Sequence, residues 1–283
     1  MMKVKQPGGP RRAAPGTRIP RKFDAARPSM PQSGFPLSAS MSPRLSAPAA
    51  YTLGHVVAGT LLLGLLAWLA QHSGLDMAIA RALYDPLGGQ FPLRHAALLE
   101  FAGHRLLVAL PVGVALLALA GALASYRYAP LRPARGALWA IVLTCLVGQL
   151  AVSQLKHHTT MPRPYNLLEF GGDTAWPAHW WAASRAAAGH ALPSAHAGAG
   201  YALLSLYFAA SALDAGRWRW WGLGLGIATG LVFSLVRILQ GAHFLSQTLW
   251  SAALMWLVAS LVFSPLLARN RRPALAAGGA RPA

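Results

Sequence analysis

Apolar residues run along this chain in six long blocks separated by short polar or turn-forming stretches. The blocks cover roughly residues 53–70, 106–124, 136–155, 193–213, 220–238 and 247–267. About 20 apolar residues in a helix cross the hydrocarbon core of a bilayer. The pattern therefore predicts an all-α protein, a six-transmembrane-helix bundle. Between the first two blocks, residues 71–105 keep a partial helical periodicity, broken by turn signals at Asp85-Pro86 and Gly88-Gly89. Short interfacial helices on the outer face are expected there. Residues 165–190 contain Trp176, Trp180 and Trp181. Tryptophan concentrates at the membrane–water boundary, so this loop is expected to lie over the outer ends of the spans.

Composition agrees with the block pattern. Hydrophobic residues make up 55% of the chain and charged residues 11%, where soluble domains carry about 25% charged residues. The net charge of +18 raises the question of nucleic acid. The positive residues, however, sit in tails and short loops flanking apolar runs, where membrane topology needs them, and no nucleic-acid partner is expected. Residues 1–48 hold nine Lys and Arg against the single acid Asp24, with Pro and Gly throughout. Such a segment buries too little apolar area to offset its ordering entropy. It is expected to be a disordered basic cytoplasmic tail, with 269–283 a second one and 49–268 the six-span domain. Residues 1–48 have no apolar run followed by a small-residue cleavage site, their Pro and Gly disfavour a transit helix, and Met30 or Met41 are alternative first residues. Cys145, the one cysteine, reads as a packing residue in a span.

Lys and Arg also set orientation. With the N-terminus inside, the inner segments hold 18 of the 25 Lys and Arg. The protein is thus expected to be multi-pass in the cell (inner) membrane, with both termini cytoplasmic. That orientation brings three polar clusters to the outer (periplasmic) face. Lys156 and Arg163 close the third block, Ser194 and His196 open the fourth, and Arg237 and His243 lie between the fifth and sixth. Three fixed cations suit a phosphate, and arginine grips its oxygens bidentately. Ser194 is a good N-cap, Pro193 suits a helix start, and the N–H groups that follow favour anions. Gly241 permits a sharp bend that aims His243 back toward the anion. His157, His158, His179 and His190 read as interfacial residues rather than zinc ligands, since zinc needs converging donors and a second shell.

The clusters read Lys156-HHTTMP-Arg163-Pro164, Pro193-Ser194-Ala195-His196 and Val236-Arg237-ILQGA-His243-FLS-Gln247. In order and spacing they resemble the signature of the type 2 phosphatidic acid phosphatase superfamily, membrane branch: K-x6-R-P, P-S-G-H and S-R-x5-H-x3-D. The resemblance implies that His243 is the nucleophile, forming a phosphohistidine, and that His196 is general acid and then base. Lys156, Arg163, Ser194 and Arg237 would bind the phosphoryl oxygens, with no metal or other cofactor. It implies a lipid phosphatase acting on a phosphomonoester or pyrophosphate at the outer leaflet, with a lipid phosphotransferase as the close variant. Partners would be the lipid phosphate and membrane lipids.

Three positions depart from the signature. Ala195 replaces glycine, which costs little in ordinary helical geometry. Val236 replaces serine and removes an oxygen donor, a loss of about 10²-fold in rate at the low end for such contacts. Gln247 replaces the aspartate that would orient the nucleophile. Its amide oxygen can accept the ring N–H but supplies no charge, and in the serine-protease template that exchange costs about 10⁴ in turnover. Three expectations follow: a slow enzyme, an enzyme that recruits Glu169 or Asp173 instead, or a catalytically weakened lipid-headgroup binder.

Overall fold

The computed structural model describes residues 46–101 and 107–270. The chain divides into two units, Met1–Arg44 and Leu45–Ala283, and every described residue belongs to the second. The two expected tails lie almost wholly outside the described residues. At their inner edges helix is already present over Ala47–Tyr51 and persists to Asn270.

The described residues are helical and contain no strand, only isolated bridges. Helix α1 (Pro48–His72) has a π-helical stretch over Thr52–Gly59. Two short helices follow, α2 (Leu75–Leu83) and α3 (Ala97–Phe101), in the region where short interfacial helices were expected. Then come α4 (Leu107–Ala124), α5 (Arg135–Lys156), α6 (Ala195–Tyr201), α7 (Ser205–Ala212), α8 (Trp218–Leu239) and α9 (Leu245–Asn270).

Among the described residues, four helices are long and apolar enough to cross a membrane: Pro48–His72, Ala129–Lys156, Trp218–Leu239 and Leu245–Ala268. The expected count of six is not reproduced as six long helices. The second block appears as the shorter apolar helix Val108–Ala124. The fourth is α6, a 3-10 turn over Ala202–Leu204, and α7. This segment is buried along most of its length, so it is shaped by its neighbours rather than by lipid. The long helices expose Leu61, Leu62, Leu146, Leu150 and Leu235. Apolar surface of that extent fits a membrane protein.

Helix α9 is the central element, packing against α1, α5, α6 and α7. Its Met255, Ala259 and Phe263 are fully buried. Helix α8 lies across the broken α6–α7 segment, and small residues explain how closely. Gly222, Gly226 and Gly230 recur every four residues along one face. A Cβ at Gly226 would lie 2.6 Å from the Leu204 backbone nitrogen, one at Gly222 would lie 2.8 Å from the Leu206 carbonyl carbon, and one at Gly230 would enter the Tyr201 ring. Because each of these neighbours is backbone or a rigid ring, none can yield cheaply. Gly226→Leu is therefore expected to destabilise the protein by ~3 kcal/mol or more, the upper end of overpacking penalties. A thermal unfolding midpoint in detergent checks this. Gly224, with open space beside it, should accept alanine with little change.

Candidate active site

Four helix ends meet at one end of the bundle. Lys156 is the last residue of α5, Ser194 caps α6, Arg237 lies in the last turn of α8, and His243 lies two residues before the start of α9. Hydrogen bonds join the loops that carry them. Tyr165 N–H donates to the Gly241 carbonyl at 3.1 Å, and Ser194 N–H donates to the Gln247 carbonyl at 3.3 Å. The Ser251 hydroxyl lies 2.9 Å from the Ser194 carbonyl and 3.0 Å from that of Gln247.

The turn from Arg237 to His243 is closed locally. Ala242 N–H and His243 N–H both donate to the Arg237 carbonyl, at 2.9 and 3.3 Å. Gly241 has φ +63°, and a Cβ there would enter the Phe91 ring. Only glycine meets both conditions, the left-handed backbone and the close approach. The bend expected at Gly241 is present.

Gln247 sits at the centre of the junction and is 2% exposed. Its Nε2 donates to the Pro162 carbonyl at 2.8 Å. Its Oε1 accepts the Phe244 N–H at 3.2 Å and lies 3.0 Å from His243 Nδ1. The reverse orientation of the amide would set its NH2 against a backbone donor and its oxygen against a carbonyl, so the network fixes the orientation. The imidazole must then carry its proton on Nδ1 and present a bare Nε2. Glu169 and Asp173, the expected substitutes for the missing aspartate, do not act there. Glu169 pairs with Arg81 at 2.5 Å, and Asp173 accepts the Thr174 hydroxyl.

His243 is 2% exposed. Burial holds its basicity well below that of an ordinary histidine, Arg237 adds to this, and Lys156 and Arg163 contribute smaller repulsions; only the bond to Gln247 opposes them. The three cations, from the two clusters that supply them, therefore act on a single imidazole. Arg237 donates to Gln240 Oε1 at 2.9 Å, and Arg163 donates to the Tyr165 hydroxyl. The Arg237 Nε is buried without a hydrogen-bond partner. Ser194 is fully buried, and its Oγ accepts the Ala197 N–H at 3.4 Å as an N-cap, leaving the hydroxyl proton to donate. His196 is half-buried at the second residue of α6. Ala195 lies within the same helix with no positive φ, so its replacement of glycine is unstrained, while Val236 is buried.

Two cavities flank the junction. One, of about 320 Å³, has almost wholly apolar walls, with Thr60, Leu155, Trp180, Pro193, Trp250 and Leu254 among them. The other, of about 170 Å³, is polar and is lined by Arg94, His95, Glu100, Tyr165, Arg237 and Gln240. The Arg94 guanidinium stacks 3.7 Å above the Tyr165 ring. Trp176 packs edge-on against Phe244, so the tryptophan-rich loop does reach the turn that carries His243. Arg94, Tyr165, Gln240 and Ser251 were not singled out by sequence. Each stands in an ordinary local context, and only the tertiary contacts give it a place beside the cations. Among the described residues no group of three or more His, Cys, Asp or Glu is arranged to hold a metal ion.

A helical bundle with a desolvated histidine among fixed cations, and with four helices apolar enough to span a membrane, fits a phosphate-handling protein. Residues 137–271 match the model of the PAP2 superfamily, which is consistent with a member of that superfamily. The match suggests phosphatase-type activity on phosphate esters. No curated protein and no solved structure matches the chain.

Native His243 binds a proton less readily than it does in the unfolded chain. Its contribution to stability is present above the ordinary histidine value of ~6.5 and is lost as pH falls below it. The unfolding midpoint of the wild type should thus fall between about pH 7 and 5, more steeply than that of His243→Gln. Gln247→Ala strands a ring N–H, a backbone N–H and a carbonyl in a buried site. It should cost about 3 kcal/mol at roughly 1 kcal/mol per lost bond, read by thermal unfolding at neutral pH.

Proposed function

We propose that this protein is an integral membrane phosphatase that hydrolyses a lipid phosphomonoester or pyrophosphate through a phosphohistidine on His243. The observation that carries the proposal is the buried His243 imidazole, bonded through Nδ1 to Gln247 Oε1 and near enough to Arg237, Lys156 and Arg163 for them to lower its basicity. A neutral imidazole with a bare Nε2 is the nucleophilic form, and fixed cations beside it favour the charge that builds on phosphoryl oxygens in transfer.

The His243 Nε2 lone pair attacks phosphorus, and the P–O bond to the lipid breaks. The leaving oxygen takes a proton from His196. His243 keeps its Nδ1 proton throughout, donated to Gln247. His196 then removes a proton from water, the hydroxide attacks phosphorus, the P–N bond breaks, and phosphate leaves. Lys156, Arg163, Ser194 and Arg237 hold the oxygens in both steps. Gln247 orients the ring without adding charge, so the developing imidazolium is balanced by the phosphoryl group itself. In this reading the chemistry takes place on the outer face, and both termini are cytoplasmic.

A lipid substrate is supported by the apolar cavity. Its walls include Leu155 and Pro193, sequence neighbours of Lys156 and Ser194. About 320 Å³ falls within the range of small-ligand sites, and walls with almost no polar surface suit hydrocarbon. A second reading, a headgroup-binding relative without turnover, draws on the amide at Gln247. A lipid phosphotransferase would use the same phosphohistidine with an acceptor hydroxyl in place of water.

The purified full chain in detergent should release phosphate from one or more members of a lipid phosphate panel, and His243→Ala should abolish release. Binding without release would favour the headgroup binder, and transfer of labelled phosphate to a second lipid would favour the transferase. Leu254→Trp fills the apolar cavity. It should raise KM for a long-chain substrate about tenfold, equivalent to about two lost methylene contacts at ~0.8 kcal/mol each. A short, water-soluble phosphate ester should be hydrolysed as before.

A further inference from the structure

Helix α9 begins at Leu245, and the residue before it is Phe244, whose side chain cannot cap. The first N–H groups of a helix have no intrahelical partner. One half of a capping box is present, in which the third helical residue reaches back to the N-cap N–H: Gln247 Oε1 accepts from Phe244 N–H. The other half comes from a distant part of the chain. Asp76 Oδ1 accepts the Ser246 N–H at 2.9 Å, and its second oxygen accepts the Ser246 hydroxyl, across 170 residues of sequence.

Asp76 is 2% exposed. A carboxylate taken out of water is costly unless it is hydrogen-bonded. Burial pushes its carboxyl above the usual range, while bonds from Ser246 and from the Leu245 backbone pull the other way. Asp76 also lies in the first turn of α2, so the N-termini of two helices converge on one carboxylate, where negative charge is favoured. The segment around it is built against the His243 turn. Ala80, Phe91, Leu167, Phe170 and Phe244 form one buried cluster, and Asp76, Phe91, Gly241 and His243 line a single small void. Asp76 and Phe91 both precede the part of the chain that matches the superfamily.

We infer that Asp76 is a positioning residue for His243: its carboxylate supplies the cap that α9 lacks and so fixes the turn from which Gln247 holds the imidazole. The inference rests on the proposed function only in taking His243 as the nucleophile. Asp76 touches neither phosphate nor ring. It acts through Ser246, whose backbone sets the distance between Gln247 Oε1 and His243 Nδ1. Loss of the cap lets the first turn of α9 fray, and a nucleophile misplaced by about 1 Å loses on the order of 10²-fold in rate.

The test uses the full chain in detergent with three variants. Asp76→Ala should lower kcat for lipid phosphate hydrolysis by about 10- to 100-fold and leave KM unchanged. Asp76→Asn should retain most of kcat, because the amide oxygen still accepts the Ser246 N–H and its NH2 can donate to the Ser246 hydroxyl, reversing the direction of that bond. If Asp76→Ala does not yield folded protein, Ser246→Ala keeps the N–H bond, loses only the hydroxyl, and should lower kcat less than tenfold at constant KM. The imidazole nitrogen resonances of His243 give a readout independent of turnover: a single Nδ1–H tautomer in the wild type and in Asp76→Asn, and a tautomer mixture in Asp76→Ala. Wild-type kcat with a single tautomer in Asp76→Ala overturns the inference, as does Asp76→Asn damaged as badly as alanine. Wild-type protein that hydrolyses no lipid phosphate removes the proposed function instead, and the resonances still decide the role of Asp76.

Discussion

One amide group ties the candidate active site together. Gln247 donates to the carbonyl of Pro162, accepts from the backbone of Phe244, and accepts the ring proton of His243. Its backbone carbonyl receives the Ser194 N–H. Through this residue the loop after α5, the start of α6 and the start of α9 are held to one another. Buried polar groups are tolerable only when satisfied, and here each satisfies another. The tautomer of His243 is then a consequence of the packing and not a free variable.

This also gives an aspartate-to-glutamine departure a physical sense. An aspartate at this position could accept from the ring, but it could not donate to the Pro162 carbonyl, and its shorter side chain would have to reach the same atoms. The amide exchanges charge for an additional tie. The surroundings fit a neutral partner, because His243 already lies in a field of three cations that disfavours its protonated form. In the proposed reaction, the positive charge that develops on the ring would be balanced by the phosphoryl group.

The site is also supported from outside the superfamily segment. Asp76 holds the first turn of α9, Phe91 occupies the space left by the absent Gly241 side chain, and Arg81 reaches Glu169 in the following loop. Helix α2 and Phe91, in a region that hydropathy suggested as surface elements, thus form a platform against the His243 turn. Arg94, from the same region, stacks on Tyr165, so this platform also contributes a cation beside the polar cavity.

The sequence by itself determined the helical class, the positions of the long apolar helices, the three clusters, the bend at Gly241 and the cap at Ser194. These are local or periodic properties: hydrophobic runs, spacing, and residues whose conformational range is narrow. It did not determine that the fourth apolar block would break into α6, a 3-10 turn and α7, because that follows from close approach to the glycine face of α8. Nor did it determine that Gln247 would join three loops, or that Asp76 would cap a helix 170 residues away. Hydrogen bonds between distant segments leave no periodic trace, so only the tertiary structure decided which buried donors and acceptors found each other.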